Sequence, residues 1–163
     1  DALYYWKYWT REGDGKVDNN TILDKEDDVA NAIWGKGWHI PEQNELDELY
    51  EQCIWTIDVI NGINGYIVTG PNGNSIFLPF TGHYEYKDLN NTDTYGSYWS
   101  SSLNIEKPGM ASGITFNLNE VYKENKFRCF GHAIRPVINK EKISKAQYNI
   151  DIKLLHRKAN FRQ

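Results

Sequence analysis

The sequence predicts an α+β domain in which two helices pack on twisted antiparallel β-sheets with long loops. Apolar residues recur at helical spacing over residues 46–53, shortly after Pro41, which suits a helix entry. Residues 65–69 and 75–79 are alternating or β-branched runs separated by a Gly-Pro-Asn-Gly turn, which is typical of a β-hairpin. Apolar and polar side chains alternate in residues 113–118, which predicts a strand with one buried face.

Composition and charge narrow the classes of partner. The 163 residues suffice for one compact domain and an appendage, predicted as residues 1–138 and 139–163. A net charge of −4, spread along the chain, favours neither nucleic acid nor a lipid surface, and no apolar run approaches the roughly 18 residues of a membrane span. Because the chain begins at Asp1 without a signal peptide, it is expected to be a processed or trimmed piece. Aromatic residues make up 14% of the chain and suit a β-rich domain with exposed recognition loops, although a small core built from rings would give the same composition.

The N-terminal third is predicted to contain a strand, a polar loop and two helices. Residues 3–9 form an aromatic-rich extended segment, and residues 11–20 form the loop. The acidic residues of this loop are compatible with a calcium site or with a solvated turn. An EF-hand register would place Lys16 where an oxygen ligand is needed, which argues against calcium. The first helix is predicted over residues 24–33, with the acid-rich first turn that the helix dipole favours, and the second over residues 41–53.

The remaining part of the domain is predicted to be strands and loops. Strands are expected at residues 97–102, 113–118 and 127–138. Residues 81–96 and 104–111 are predicted as polar loops, and a sixteen-residue loop in so small a domain suggests a function.

The last segment, residues 140–163, differs in amino-acid composition from the rest of the chain. It is richer in Lys and Arg and lacks Trp and Gly. Ile143, Ile150 and Leu154 have near-helical spacing, whereas residues 148–152 alternate like a strand, so both structures remain open.

Short motifs follow one another in a distinctive order along residues 3–138. They are Asp27-Asp28, Gly37-Trp38-His39-Ile40-Pro41, Cys53-Ile54-Trp55, Asn72-Gly73-Asn74-Ser75-Ile76-Phe77-Leu78-Pro79, Gly82, Gly96-Ser97-Tyr98-Trp99-Ser100-Ser101-Ser102 and Arg135-Pro136-Val137. In this order they resemble the Fibrobacter succinogenes major paralogous domain family, a group of bacterial secreted and lipoprotein modules. The resemblance implies a C-type lectin-like fold and an extracellular or cell-surface location, and it leaves a lipid anchor in the full-length precursor open.

The chain departs from the family pattern at both ends. Family members carry additional strand sequence ahead of the segment that matches residues 4–9, and they end near the match to Val137, whereas 26 residues follow here. The alternation at residues 148–152 suggests that the tail supplies the missing edge strand.

Several of the landmark residues are predicted to be structural. Large rings fill a small core, and proline fixes φ at the ends of elements. Arg135 lies between apolar neighbours and is expected to snorkel or to pair with a carboxylate such as Asp28. The structural set is Asp28, Trp38, Pro41, Trp55, Pro79, Trp99 and Arg135.

The sequence lacks the motifs of common catalytic and calcium sites. It contains no Gly-x-Ser-x-Gly, no His-Glu-x-x-His and no phosphate-binding loop. The Glu-Pro-Asn or Gln-Pro-Asp and Trp-Asn-Asp tripeptides of calcium-dependent lectins are also missing, so neither a metal nor a cofactor is expected. Cys53 and Cys129 have no metal-type spacing, and both a disulfide and two isolated thiols remain open.

The predicted ligand surface lies on the loops after Phe80, Ser102 and Val121, which lectin-like folds gather on one side. Rings offer flat apolar faces to a sugar or a protein, and Asn side chains offer directional hydrogen bonds, although ordinary polar turns have a similar composition. The candidate ligand-binding residues are Tyr84, Tyr86, Asn90, Asn91, Tyr95, Asn104, Tyr122 and Asn125.

Three functions are compatible with these features. The first is a non-catalytic, calcium-independent binding or adhesion domain that recognises a glycan or a surface protein. The second is a structural or adhesin-tip module of a larger surface assembly. The third is a modifying enzyme of the formylglycine-generating type, a class with a related fold whose oxidative chemistry needs closely placed cysteines.

Overall fold

The computed structural model describes residues 20–107 and 109–139. Within them the chain forms two helices, α1 (Val29–Trp34) and α2 (Gln43–Gln52). The strands are β1 (Trp38–His39), β2 (Ile54–Ile60), β3 (Ile63–Thr69), β4 (Ser75–Pro79), β5 (His83–Glu85), β6 (Asp88–Asn90), β7 (Tyr95–Leu103), β8 (Met110–Asn117), β9 (Val121–Phe127) and β10 (Val137–Ile138). The strand predicted for residues 3–9, the two alternatives for residues 140–163 and the calcium alternative around Lys16 lie outside the described residues.

The named strands pair antiparallel in small sheets. Two sheets have three strands, in the orders β2-β3-β4 and β7-β8-β9, and two have two strands, β1-β10 and β5-β6. Two helices beside several antiparallel sheets confirm the predicted α+β class.

Helix α1 begins five residues later than predicted because Asp28 caps it. The Asp28 carboxylate accepts hydrogen bonds from the backbone N–H groups of Ala30 (2.8 Å) and Asn31 (3.2 Å). Its second oxygen accepts a hydrogen bond from the N–H of Ile40 (2.8 Å). The preceding acids therefore lie in a turn outside the helix, and Asp28 bonds backbone amides rather than the expected Arg135, which is exposed.

Helix α2 matches the prediction closely. Pro41 is fully buried just before it, and Glu42 and Glu45 form a reciprocal capping box. Leu46 on the inner face is buried, and the indole N–H of Trp55 donates to the carbonyl of Leu49 at 2.9 Å. Trp55 thereby fixes the end of the helix against the first strand of the sheet.

The predicted hairpin is confirmed as β3 and β4, with Thr69 opposite Ser75 and Gly65 opposite Pro79. Strand β2 was not predicted. It joins β3 through Asn61 and Gly62, which both have positive φ (52° and 79°), as a two-residue hairpin turn requires.

Strand β8 is covered on both faces. Ile114 and Phe116 are buried in the core as predicted, but Leu118 is exposed because the strand ends at Asn117. Thr115, on the opposite face, is also buried and lies 3.2 Å from the Ser97 hydroxyl. The predicted core face is therefore confirmed at Ile114 and Phe116, and the opposite face is covered as well.

The last predicted strand, residues 127–138, is divided in the structure. Strand β9 ends at Phe127, an irregular segment follows, and β10 contains only Val137 and Ile138. The predicted loop after Val121 is instead the strand β9, and the predicted loop 81–96 contains the β5–β6 hairpin and the start of β7.

Aromatic rings from both three-stranded sheets form the centre of the core. Phe116 is fully buried, and its ring centroid lies 5.5 to 5.7 Å from those of Tyr66, Phe80, Trp55 and Tyr98. The Tyr98 hydroxyl donates to the carbonyl of Pro79 (3.1 Å), and burial raises the pKa of this phenol. A ring-built core is one of the two alternatives that the aromatic composition left open.

Candidate binding cleft

A cleft of about 580 Å³ opens beside the β5–β6 hairpin. Its other walls are the start of the irregular segment after β9, the middle of β7 and the turn that precedes α1. Four aromatic side chains line it, Tyr84, Tyr86, Trp99 and Phe130, together with the charged side chains of Asp27 and Arg128. This volume is in the range of small-molecule binding sites.

The β5–β6 hairpin presents two tyrosines at the cleft. Tyr84 pairs with Leu89 in the hairpin and is 49% exposed. Tyr86 lies in the turn with a φ of 54° and is 92% exposed. A left-handed backbone at a bulky residue is uncommon, and such conformations cluster at ligand-contacting positions.

Hydrogen bonds to the irregular segment fix the hairpin in place. The N–H of Tyr84 donates to the carbonyl of Gly131 (2.7 Å), and the N–H of Gly131 donates to the carbonyl of Tyr84 (2.8 Å). Tyr84 is thus held by two backbone hydrogen bonds while its ring stays half-exposed. A ligand that binds there therefore costs the hairpin little conformational entropy.

Trp99 of β7 is a further aromatic residue of the lining. Its backbone N–H donates to the carbonyl of Ala133 (3.0 Å), and its ring meets His132 edge-on at 4.5 Å. The strand pairing is irregular after Trp99, where the Ser100 hydroxyl donates to the carbonyl of Ser112 (2.8 Å) and accepts from the N–H of Ser102 (3.1 Å). The irregularity is therefore internally bonded rather than loose.

Two histidines pack next to Trp99: His132 contacts its ring, and His83 contacts His132. His132 stacks on His83 at 5.8 Å, and both of its ring nitrogens are buried without a hydrogen-bond partner among the described residues. Burial, with the nearby charges of Lys126 and His83, lowers the pKa of His132 to about 3. His132 is therefore neutral at physiological pH and packs as a ring.

The thiol of Cys129 also lines the cleft. Burial raises its pKa, which keeps it protonated and a poor nucleophile. Cys53 lies elsewhere, beside α2, and both cysteines are free. The disulfide alternative is therefore not realised.

The structure brings together only part of the predicted ligand surface. Tyr84 and Tyr86 share the cleft. Tyr95 and Tyr122 lie on the neighbouring sheet face, where the Lys126 ammonium is 5.4 Å from the Tyr95 ring, and burial raises the pKa of Tyr122. Tyr95 and Tyr122 interact with each other, and neither of them lines the cleft.

The predicted asparagines do not converge. The amide oxygen of Asn104 accepts from the backbone of Lys107 (2.9 Å), and that of Asn125 accepts from Ser112 (2.9 Å). Asn90 bonds within its hairpin, and Asn91 lies in the following turn with a φ of 56°. These side chains stabilise turns and strands locally.

The predicted structural residue Trp38 is half-buried, and its ring lies 6.0 Å from that of Trp34. The structural contacts of four others were described with the fold: Asp28, Pro41, Trp55 and Pro79. Trp99 is half-buried but lines the cleft. The cleft is also lined by residues that were not predicted from the sequence as site residues, namely Leu23, Asp27, Arg128, Phe130 and Gly131. Gly131 within the predicted strand 127–138 could have indicated that another backbone approaches there, because a glycine inside a strand often marks such a close approach.

Among residues 20–107 and 109–139, no group of three or more His, Cys, Asp and Glu side chains is arranged to hold a metal ion. No helix in the same part of the chain has the length and apolar character needed to cross a membrane. No protein-family model, curated protein or solved structure gives a significant match to the chain. The features of this chain that bear on function are therefore those of the cleft.

Proposed function

We propose that this chain is a non-catalytic binding module that holds a glycan in the cleft. The observation that carries the proposal is the pair of exposed rings, Tyr84 and Tyr86, on a hairpin bonded to the wall of the cleft. Flat rings stack on the apolar faces of sugars, and Trp99 supplies a further ring of the lining.

The polar groups of the cleft suit the same ligand. Asp27 and Arg128 place one carboxylate and one guanidinium among the rings, and both groups form directional hydrogen bonds with hydroxyls. A few polar groups within a mainly aromatic lining are the usual composition of a specific small-ligand site. Binding by these residues needs no calcium.

The proposal includes a relation to the Fibrobacter succinogenes major paralogous domain family and a C-type lectin-like fold. It is supported by the order of the sequence motifs and by the two helices beside small antiparallel sheets. An extracellular or bacterial cell-surface location follows from the same relation.

A structural module of a larger surface assembly is the second candidate, and strand β2 favours it. Among residues 20–107 and 109–139, β2 pairs with β3 alone, and it exposes Ile54, Ile57, Val59 and Ile60. An apolar edge strand of seven residues is suited to pairing with another chain. The oxidising-enzyme hypothesis has less support, because Cys53 and Cys129 line different cavities.

A glycan array followed by titration calorimetry tests the proposal. The double variant Tyr84→Ser/Tyr86→Ser should keep its unfolding free energy within about 1 kcal/mol per site, because both rings are exposed. Its affinity for the array ligand should fall by about tenfold or more, and adding a chelator should not change binding by the parent chain.

Tyr50→Ser is the matched control, since Tyr50 is an exposed tyrosine on α2 that does not line the cleft. Equal affinity of the folded double variant and the parent would place the site elsewhere. Ligands found only on a protein array would favour the assembly module.

A further inference from the structure

A second cavity, an apolar groove of about 520 Å³, lies between α2, strand β4 and residues 135–138. It is separate from the cleft, since the two share no lining residue. Its apolar lining includes Trp38, Leu49, Cys53, Ile76, Pro136 and Ile138.

The described chain ends at this groove. Ile138 is the last residue of β10 and lines the groove, and the N–H of Asn139 donates to the carbonyl of Gly37 at 3.1 Å. Residues 140–163 continue from this point. Four extended residues span about 13 Å, so Ile143 can reach the groove directly from Asn139.

The groove is lined by two carboxylates, those of Glu45 and Glu48, and by the guanidinium of Arg135. Three carboxylates of α2 already have a partner: Asp47 (3.4 Å) and Glu51 (3.1 Å) contact Lys123 of β9, and Glu45 contacts His39 of β1 (2.9 Å). Glu48 lines the groove and has no ion-pair partner among the described residues. Residues 140–163 carry seven Lys or Arg against two acids.

We propose that residues 143–155 of the same chain occupy this groove. Ile143, Ile150 and Leu154 are the apolar residues that enter it, and neighbouring Lys and Arg side chains meet Glu48 at the rim. Burial of these side chains against Leu49 and Ile76 provides the driving force, and the basic charge of the segment determines its orientation.

The thiol of Cys53 reports on the groove. In a Cys129→Ser background it is the only cysteine of the chain, and its rate of modification by a water-soluble disulfide reagent measures how open the groove is. Leu154→Asp should raise that rate by about tenfold, because an uncovered thiol reacts without a prior opening step. Glu48→Lys should raise it several-fold, and added salt should raise the rate of the parent.

Glu120→Lys is the control, because it makes the same charge change at an exposed position outside the groove. Near-ultraviolet circular dichroism verifies that each variant is folded, and Ile150→Asp replaces Leu154→Asp if the latter is not. Equal Cys53 rates in the parent and the folded tail variants would overturn the proposal. Protection that disappears on dilution would also overturn it, since a second copy would then be the occupant.

Discussion

Gly131 lies so close to Tyr84 that a Cβ atom on the glycine would come within 2.9 Å of the Tyr84 Cβ atom. The two residues also exchange both of their backbone hydrogen bonds. The β5–β6 hairpin can therefore lie this close to the irregular segment because residue 131 is a glycine, which has no side chain.

Gly131→Ala should destabilise the chain by about 1 to 3 kcal/mol, because the added methyl group meets a Cβ atom that cannot rotate away. It should also weaken ligand binding, since the hairpin must shift. Gly109→Ala is the control, because nothing lies within 4 Å of its added carbon. Chemical denaturation of both variants makes the comparison, and equal effects would contradict a steric role for Gly131.

Asp28→Ala should cost about 2 to 4 kcal/mol of unfolding free energy, because it removes the cap of α1 and leaves the buried N–H of Ile40 unpaired. Asp58→Ala should change the unfolding free energy by less than about 0.5 kcal/mol, since Asp58 is exposed and bonds only its neighbour. Urea denaturation measures both, and a tolerated Asp28→Ala would show that the three bonds contribute little.

Trp99→Ala should destabilise the fold by about 3 kcal/mol, the lower end for loss of a large ring, because Trp99 is half-buried against His132. Trp99→Phe retains part of the packing and should weaken ligand binding more than it lowers stability. Thermal unfolding and ligand titration separate the two effects. A folded Trp99→Ala chain with unchanged stability would assign Trp99 to the site alone.

The unfolding free energy should decrease as the pH falls from 7 to 5. The pKa of His132 is about 3 in the folded chain and 6.5 ordinarily, so the unfolded state binds more protons between these values. The loss is about 1 to 2 kcal/mol by pH 5, because one proton contributes at most about 1.4 kcal/mol per pH unit and solvent reduces this for a partly buried ring.

His132→Phe removes this titration and keeps a ring beside Trp99, so its pH profile should be flatter than that of the parent over the same range. The neighbouring side chains of His83 and Lys126 are present in both chains, so the comparison isolates His132. Parallel profiles would show that His132 is protonated as readily in the folded chain as in the unfolded one.

The elements that could be predicted from the sequence are those with local signals. Pro41, Glu42 and Glu45 define the start of α2 through bonds within one helical turn. The turn through Pro71 and Gly73 defines the β3–β4 hairpin, and Gly73 has the positive φ that such a turn needs. Asn61-Gly62 is an equally strong hairpin signal, so β2 could have been predicted as well.

The cleft could not be predicted in the same way, because its walls come from segments far apart in sequence. Strands β5 and β6 have only three residues each, too few for alternation to be recognised. Their turn contains Tyr86 rather than the Asn or Gly that would mark it. Trp99 and Arg128 line the same cleft because long-range contacts hold the irregular segment after β9 against β7, namely the Tyr98–Ala133 bridge and the hydrogen bond from the Trp99 N–H to the Ala133 carbonyl.

The pairing of Trp38 with Ile138 has a consequence for how the chain folds. It joins β1 to β10 across nearly the whole described sequence, and closing so long a loop carries a large entropic cost. The local hairpins can form early, whereas this sheet must wait until both segments are in place. During synthesis every ring of the aromatic core, up to Phe116, leaves the ribosome before residue 138, so the β1–β10 pair is the later of the two to become available.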